Sequence, residues 1–240
     1  MYNRKFKALC ESVYRKPCFT DKPCPDEYRC VVNIENSSIS EKSENDESLP
    51  IVVLILESPH KSEYNQSTRT AIRPANGPTG ISIDENIASL LSETYGSRTS
   101  HRVCPPKVLL YLVEAISYQC SNNLDSIDHE KRDVLFRLVW EKFGKSDFER
   151  RMRRLEPFAV INACTCSKQN STIKSYINRC NRMMNNPNIR NKYKPKYMNA
   201  LNVLVQESLD SIWKSNQNVD LLYSAHPSSP NFKSKGLFFR

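Results

Sequence analysis

Three short polar segments follow three apolar runs of the sequence, and their side chains could together break a bond. The first segment begins at Glu57, the second at Asn162, and the third contains His226. A carboxylate can orient water and stabilise a cationic sugar, an amide can read the edge of a base, and an imidazole can stabilise charge on a leaving group. The set suits hydrolysis of a glycosidic bond, and the same residue types also suit other hydrolases.

The apolar runs predict the elements that position these side chains. Ile51–Leu56 is continuously apolar and rich in β-branched residues, which is typical of a strand buried on both faces of a parallel sheet. Shorter runs predict strands at 158–161 and 220–223, and helical periodicity predicts helices at 83–93, 108–119, 133–143 and 197–213. Strands that alternate with helices predict an α/β fold, a three-layer α/β/α arrangement with a short, mainly parallel central sheet. In such a sheet the polar segments meet in the crevice at the carboxyl ends of the strands.

The chain divides into three regions by composition. Residues 1–35 form a cysteine-containing amino-terminal segment, and residues 36–49 are a polar tract that we expect to be a loop or linker. Residues 50–240 carry the apolar runs and the polar segments, so we expect them to form the catalytic domain.

Charge and hydropathy limit the classes of partner. The 240 residues are 39% hydrophobic, which is enough for a buried core. No apolar run approaches the roughly 20 residues that cross a bilayer, and the amino terminus lacks the apolar segment of a signal peptide. We therefore expect a soluble, cytoplasmic monomer with no membrane partner. Residues 145–199 hold thirteen basic against three acidic side chains, a net +10 that accounts for the +9 of the whole chain. This excess favours DNA as a partner, and a solvated helix face is the alternative.

Nine cysteines indicate reduced thiols or a metal site rather than a disulfide scaffold. Their number is odd, the chain is long, and no export signal precedes them.

The polar segments and one further motif resemble those of the uracil-DNA glycosylase superfamily, above all its iron–sulfur branch. Glu57 and Pro59 match the glutamate and proline of the GEAPG motif, whose two glycines are absent here. Asn162 stands where the family has its base-reading asparagine, and His226 begins a match to the HPS motif. The remaining matches are to the PFVGxAGxLLD stretch and lie at Pro74, Gly77, Gly80 and Asp84.

The resemblance implies a DNA glycosylase that flips a nucleotide out of the duplex and cleaves the bond between base and deoxyribose. Glu57 would orient or activate water, Asn162 would bind the base edge, and His226 would stabilise negative charge on the departing base. Ser58, Ala75 and Tyr64 would surround the base. The implied DNA contacts are Gly77, Thr79, Ser228, Ser229, Phe232 and Lys168. Phe232 would serve as a wedge in the base stack, with a core aromatic as the alternative.

Departures from the family pattern favour a bulky modified base. Ala75 replaces the aromatic residue of PFVG, and the loop between Pro59 and Pro74 is longer than the branch leads us to expect. Both changes imply a wider pocket, as would suit a defence enzyme that excises glucosylated cytosine from phage DNA. Uracil excision in base excision repair is the alternative. The GQDPYH branch of the superfamily has a catalytic aspartate, which in this chain would fall on Ser58. Glu57 therefore has a catalytic role only if the segment aligns with GEAPG. Asp84 and Glu63 are the alternative carboxylates.

The resemblance also implies metal ligands, at Cys166 and Cys180, for a structural iron–sulfur cluster or zinc. Catalysis itself would need no cofactor. Two other classes compete with a glycosylase. One is a DNA-binding relative without catalysis, and the other is an unrelated α/β hydrolase that acts on free nucleotides.

Overall fold

The computed structural model describes residues 2–96, 103–121, 129–165, 201–213 and 218–239. Its centre is a single seven-stranded sheet. The strands are β1 (Glu27–Asn33), β2 (Ser38–Ser40), β3 (Ile51–Leu56), β4 (Lys107–Glu114), β5 (Ala159–Asn162), β6 (Asp220–Tyr223) and β7 (Phe238–Phe239). Their order across the sheet is β2-β1-β4-β3-β5-β6-β7.

The middle of the sheet is parallel and its two sides are antiparallel. β4, β3, β5 and β6 run in the same direction, whereas β1 and β2 on one side and β7 on the other are antiparallel to their neighbours. The prediction of an α/β fold is therefore confirmed, and the prediction of a short, mainly parallel sheet is wrong. The sequence did predict parallel strands at the centre of the sheet. The antiparallel strands β1 and β2 on one side and β7 on the other make the sheet longer than predicted.

Helices cover both faces of the sheet. They are α1 (Tyr2–Tyr14), α2 (Pro78–Gly96), α3 (His129–Val139), α4 (Lys145–Met152), α5 (Leu201–Trp213) and α6 (Asn231–Lys235), with a π-helical turn, Trp140–Gly144, between α3 and α4. Val53 and Ile55 of β3 pack with α1, α3, α4 and α5, while Val52 and Leu54 point to the other face and pack with α2 and α6. Because successive strand residues point to opposite faces, β3 must be apolar throughout.

The predicted helix at 108–119 is wrong, because this segment forms β4. Val108, Leu110 and Leu112 face α2, whereas Val113 packs in the core on the opposite face. A strand covered on both faces is a nearly continuous apolar run, and such a run also satisfies helical spacing. The error matters for function, because it hides Glu114 at the carboxyl end of a central strand.

Most other elements agree with their predictions. The strands at Ile51–Leu56 and Asp220–Tyr223 are confirmed, and β5 lies one residue beyond the predicted 158–161. The predicted helices at 83–93 and 133–143 lie within α2 and within α3 with its π-helical turn. Of the predicted helix at 197–213, residues 201–213 are helical and the first four lie outside the described residues.

The amino-terminal region is continuous with the rest of the fold. α1 packs in the same core as α3, and β1 pairs with β4 through the register Val31↔Leu109. The polar tract at 36–49 contains the short edge strand β2. None of the helices in the described part of the chain is long and apolar enough to cross a membrane.

Candidate active site

A cavity of about 440 Å³ opens at the carboxyl ends of the parallel strands, the position where α/β sheets bind ligands. Its volume lies within the range of small-molecule sites. Four segments build most of its wall: the end of β3 with the turn that follows, the loop that leads into α2, the start of α3, and the segment after β6. The lining residues with acidic or basic side chains are Glu57, His60, Glu63, Glu114, His129, Arg132 and His226.

Glu57 is held as one half of a buried ion pair. Its side chain is 5% exposed, and its Oε1 lies 3.0 Å from Nε of Arg132 on α3. Arg132 also binds its neighbour Asp133, with 2.7 Å between Nη2 and Oδ1. The other oxygen of Glu57, Oε2, is buried and has no hydrogen-bond partner among the described residues. Burial raises the pKa of Glu57 above its ordinary value, and the charge of Arg132 offsets only part of this rise.

His226 presents one defined nitrogen as a donor. The backbone N–H of Ser228 donates to its Nδ1 over 3.2 Å, and the Ser228 hydroxyl lies 2.8 Å from the same nitrogen. Because Nδ1 accepts a hydrogen bond, the proton of a neutral ring must sit on Nε2. Burial, and then the nearby charge of Arg132, lowers the pKa of His226 to about 4. Near neutral pH, His226 is therefore an uncharged Nε2–H donor.

His60, after β3, repeats this local arrangement. Ser62 lies two residues further on, and its backbone N–H and hydroxyl are 3.5 Å and 3.4 Å from Nδ1 of His60. Burial lowers the pKa of His60 as well, with a smaller contribution from Lys61. A His-x-Ser turn thus follows both β3 and β6, and each turn lines the cavity with an imidazole.

Glu63 and Glu114 form a second acidic centre in the cavity wall. They are 5% and 1% exposed, and each has a buried Oε2 that lacks a hydrogen-bond partner in the described structure. Burial raises the pKa of Glu63 to about 8, against the effect of hydrogen bonds from the backbone of His60 and Ala75 and from Glu114. The pKa of Glu114 is also raised, first by burial and then by the negative charge of Glu63 and Glu57.

The loop before α2 approaches the cavity with its backbone. Ala75 has a left-handed conformation with φ of 52°, and its carbonyl accepts from the backbone N–H of Gly77 over 3.0 Å. Gly80 lies against the same carbonyl, so close that no Cβ would fit there without a shift of Ala75 or Arg29. This close packing holds the loop and the first turn of α2 at the cavity wall.

The structure brings most of the predicted site residues together. Besides Glu57 and His226, the cavity is lined by the predicted residues Ser58, Ala75, Gly77, Thr79, Ser228 and Ser229. These residues come from three separate segments of the chain, and two of them, after β3 and after β6, follow the strand ends that the sequence predicted to converge.

Three predicted residues lie elsewhere. Asn162 is not among the described residues that line the cavity, and its amide is committed to the carbonyl of Asn202 at 2.9 Å and to Oε1 of Gln206 at 3.0 Å. Tyr64 is buried beside the amino-terminal segment, where its hydroxyl donates to the carbonyl of Lys22 over 3.3 Å. Phe232 is 1% exposed and belongs to the core, so its predicted use as a wedge in DNA does not agree with this structure.

The remaining predicted contacts, Lys168, Cys166 and Cys180, lie outside the described residues. Within the described ranges, no three side chains of the His, Cys, Asp and Glu types come together in a way that could hold a metal ion. Burial raises the pKa of Cys10 and of Cys30 to about 12, which favours their thiol over the thiolate that binds a metal.

Sequence reasoning missed Arg132 and Glu114 as site residues, and gave His60 no role. Arg132 stands in a charged helical segment that resembles a solvated face, and Glu114 was assigned to a helix. A signal for His60 was present, because residues 60–62 and 226–228 share the spacing His-x-Ser directly after a strand.

Comparisons of the chain with protein-family models, with curated proteins and with solved structures find no match.

Proposed function

We propose that the protein is a DNA glycosylase that flips a modified pyrimidine out of DNA and hydrolyses its N-glycosidic bond, which leaves an abasic site. The observation that carries this proposal is the pairing of a buried carboxylate after β3, Glu57, with a neutral imidazole after β6, His226, in the wall of one cavity. A carboxylate can accept a proton from water and stabilise an oxocarbenium-like sugar, and an Nε2–H can donate to the departing base.

Arg132 supports the role of Glu57 in two ways. Its positive charge at 3.0 Å favours the ionised carboxylate, which is the form that can accept a proton. By binding Oε1 it also fixes the orientation of the carboxylate in the cavity wall. Arg132 would thus act as a positioning residue for Glu57.

The size of the cavity supports a substrate base that carries a substituent. Its volume of about 440 Å³ suits a nucleoside-sized ligand, and the small side chain of Ala75 contributes no ring to its wall. We propose a hypermodified cytosine such as the glucosylated base of phage DNA as the substrate, and defence against phage as the context. Excision of uracil in base excision repair is the alternative.

DNA is the partner that we propose, for a monomeric enzyme that acts in the cytoplasm. The basic stretch at 145–199 supports this partner, and in its described part the side chains of Arg153 and Arg154 are exposed. Since Phe232 is buried, an exposed apolar residue near the cavity would have to fill the gap in the base stack. Ile81 is 59% exposed in the first turn of α2, two residues beyond Thr79 in the cavity wall, and it suits that position.

A second candidate is a hydrolase that cleaves the N-glycosidic bond of free nucleosides. One observation favours it: Arg132 is the arginine among the described lining residues, and its guanidinium is already bound to Glu57 and Asp133. A phosphate group in the cavity would have to compete with both carboxylates for the guanidinium of Arg132. The two candidates differ in whether cleavage requires polymeric DNA.

The test is to incubate the protein with duplex and single-stranded DNAs that carry uracil, hypoxanthine, 5-hydroxymethylcytosine or glucosylated 5-hydroxymethylcytosine, and with the matching free nucleosides. Abasic sites are then detected by alkaline cleavage. We expect abasic sites in the glucosylated DNA and no cleavage of the nucleosides. Cleavage of the nucleosides alone would favour the second candidate. Tight DNA binding without abasic sites would favour a DNA-binding protein that lacks catalysis.

A further inference from the structure

Glu63 and Glu114 are two buried carboxyl groups of the cavity that the catalytic roles above leave unused. Glu63 stands in the 3₁₀ turn after β3, and Glu114 ends β4, so two elements of the fold bring them together. Both side chains are buried in the wall of the same cavity, and the negative charge of Glu63 contributes to the raised pKa of Glu114. Two ionised carboxylates have no proton to donate to each other, so a direct contact between them requires a shared proton.

The surroundings of the pair favour the shared proton. In the described part of the chain, the titratable groups that face it are Glu57, Asp26, Cys24 and Tyr64, none of which is a cation. Arg151 approaches Glu114 from α4, but its Nη2 donates to the backbone carbonyl over 2.8 Å and not to the carboxyl group. Among the described residues, two negative charges buried side by side here would have no counter-ion, and uptake of one proton removes one of them.

We propose that Glu63 and Glu114 form the acid centre of the site, a proton-sharing pair that donates its proton to the departing base. This inference rests on the proposed glycosylase function and deepens it. It assigns proton donation to the pair and proton acceptance to Glu57, which stands in the same cavity beside a cation.

The step balances in atoms and charge. The bond between C1′ of the sugar and the ring nitrogen of the base breaks, and its electron pair goes to the base. The proton shared by Glu63 and Glu114 is transferred to the base, which leaves as a neutral molecule. The oxygen of water bonds to C1′, and the proton that this water loses goes to Glu57. Exchange with solvent then returns a proton to the pair and removes one from Glu57.

A proton donor also bears on the class of substrate. An amino-substituted pyrimidine such as cytosine leaves as a more basic anion than uracil does, so its departure depends more strongly on protonation. A hydrogen bond from a neutral His226 stabilises an anionic base without protonating it. The acid pair therefore extends the reaction to cytosine-type bases.

The first test asks whether the proton is present, and it does not depend on activity. Infrared spectra of the full chain near neutral pH should contain the C=O stretch of a buried protonated carboxyl group. We expect Glu114→Gln to remove this signal and Glu47→Gln, at a side chain that is 79% exposed, to retain it. A wild-type spectrum without a protonated carboxyl signal would overturn the inference, whatever the protein does to DNA.

The second test compares release of a cytosine-type base and of uracil from DNA. We expect Glu114→Gln to lower the single-turnover rate on the cytosine-type base by about 10²–10⁴-fold, the usual contribution of general acid–base catalysis, and to change the rate on uracil by only a few fold. The wild-type rate on the cytosine-type base should fall above about pH 8, where the pair loses its proton, and the variant should lack this fall.

The inference would be overturned if Glu114→Gln lowered the single-turnover rate equally on both nucleobases. It would also be overturned if the rate of the variant on the cytosine-type base still fell above about pH 8. Thermal melting of both Gln variants shows whether they remain folded, and Glu63→Gln provides the same comparison from the other partner. A wild-type protein that shows the protonated carboxyl and releases neither base would contradict the proposed function instead.

Discussion

Two acidic centres share one cavity and differ in what they contact. Glu57 and the pair of Glu63 and Glu114 are similarly buried, but Glu57 has the guanidinium of Arg132 at 3.0 Å, whereas the pair faces other acids. The cation favours an ionised carboxylate and the acidic surroundings favour a protonated one. Because burial is common to both centres and raises the pKa of each, their neighbours are what distinguish the proposed base from the proposed acid.

The largest effect is expected when the proposed base, Glu57, is removed and the acid pair is left intact. We expect Glu57→Gln to lower the single-turnover rate of base release by about 10²–10⁴-fold, because the amide cannot accept a proton from water. DNA affinity should stay within a few fold, since Glu57 is buried and ion-paired inside the protein. Glu47→Gln is the matched surface control. Loss of DNA binding in proportion to loss of activity would contradict the catalytic assignment.

The second prediction removes the cation that distinguishes the two centres. Arg132→Met leaves Glu57 and Asp133 buried without their partner, and we expect the free energy of unfolding to fall by about 3–5 kcal/mol. Arg153→Met, at an exposed arginine, should change it by no more than about 0.5 kcal/mol. Urea denaturation measures both. The double variant Glu57→Gln with Arg132→Met should lose less stability than Arg132→Met alone, and additive losses would argue against the buried ion pair.

The third prediction perturbs the loop behind the acid pair. A Cβ at Gly80 would meet the carbonyl of Ala75, whose backbone hydrogen-bonds Glu63, and would lie 2.9 Å from Nη2 of Arg29. We expect Gly80→Ala to cost about 1–3 kcal/mol, as overpacking usually does. In the same helix, no described residue lies within 4 Å of a Cβ added at Gly96, so Gly96→Ala should change stability by no more than about 1 kcal/mol. If thermal unfolding showed the same loss of stability for Gly80→Ala and Gly96→Ala, the loop that contains Ala75 would not be tightly held, which would contradict the prediction.

The fourth prediction concerns the slope of stability with pH. Folding raises the pKa of Glu63 from about 4.5 to about 8, so the folded state holds a proton that the unfolded state releases. This contribution to stability is complete below the lower value and is lost as pH rises through the higher one, by at most about 1.4 kcal/mol per pH unit for one proton. Denaturant unfolding at several pH values should show this fall, and Glu63→Gln should flatten it. A stability that rises over this range in the wild type and is unaffected by Glu63→Gln would contradict a shared proton.

The sequence predicted Glu57, the proposed general base of the site. It did not predict Arg132, the cation beside Glu57, or Glu114 of the acid pair. Glu57 and His226 follow short apolar runs, and the rule for parallel strands places such residues in one crevice. Arg132 gave no signal, because a charged residue on an amphipathic helix usually faces solvent. Glu114 was hidden by an apolar run that suits a strand and a helix equally.

The orientation of the Asn162 side chain could not be predicted from the sequence, for a different reason. Its position at the end of β5 was predicted within the sheet, but the direction of its amide depends on α5, which offers the Asn202 carbonyl and the Gln206 side chain. These partners are distant in sequence, so no local pattern indicates them. The same holds for Phe232, whose burial depends on how α6 packs against the sheet.

The central claim is hydrolysis of an N-glycosidic bond in DNA, and identification of the released product tests it most directly. Wild-type protein and Glu57→Gln are incubated with duplex DNA that contains glucosylated 5-hydroxymethylcytosine, and small products are identified by mass spectrometry beside a count of abasic sites. We expect the free modified base in an amount equal to that of the abasic sites, and neither product from Glu57→Gln. Release of a nucleoside or nucleotide, strand breaks without free base, or undiminished release by Glu57→Gln would contradict it.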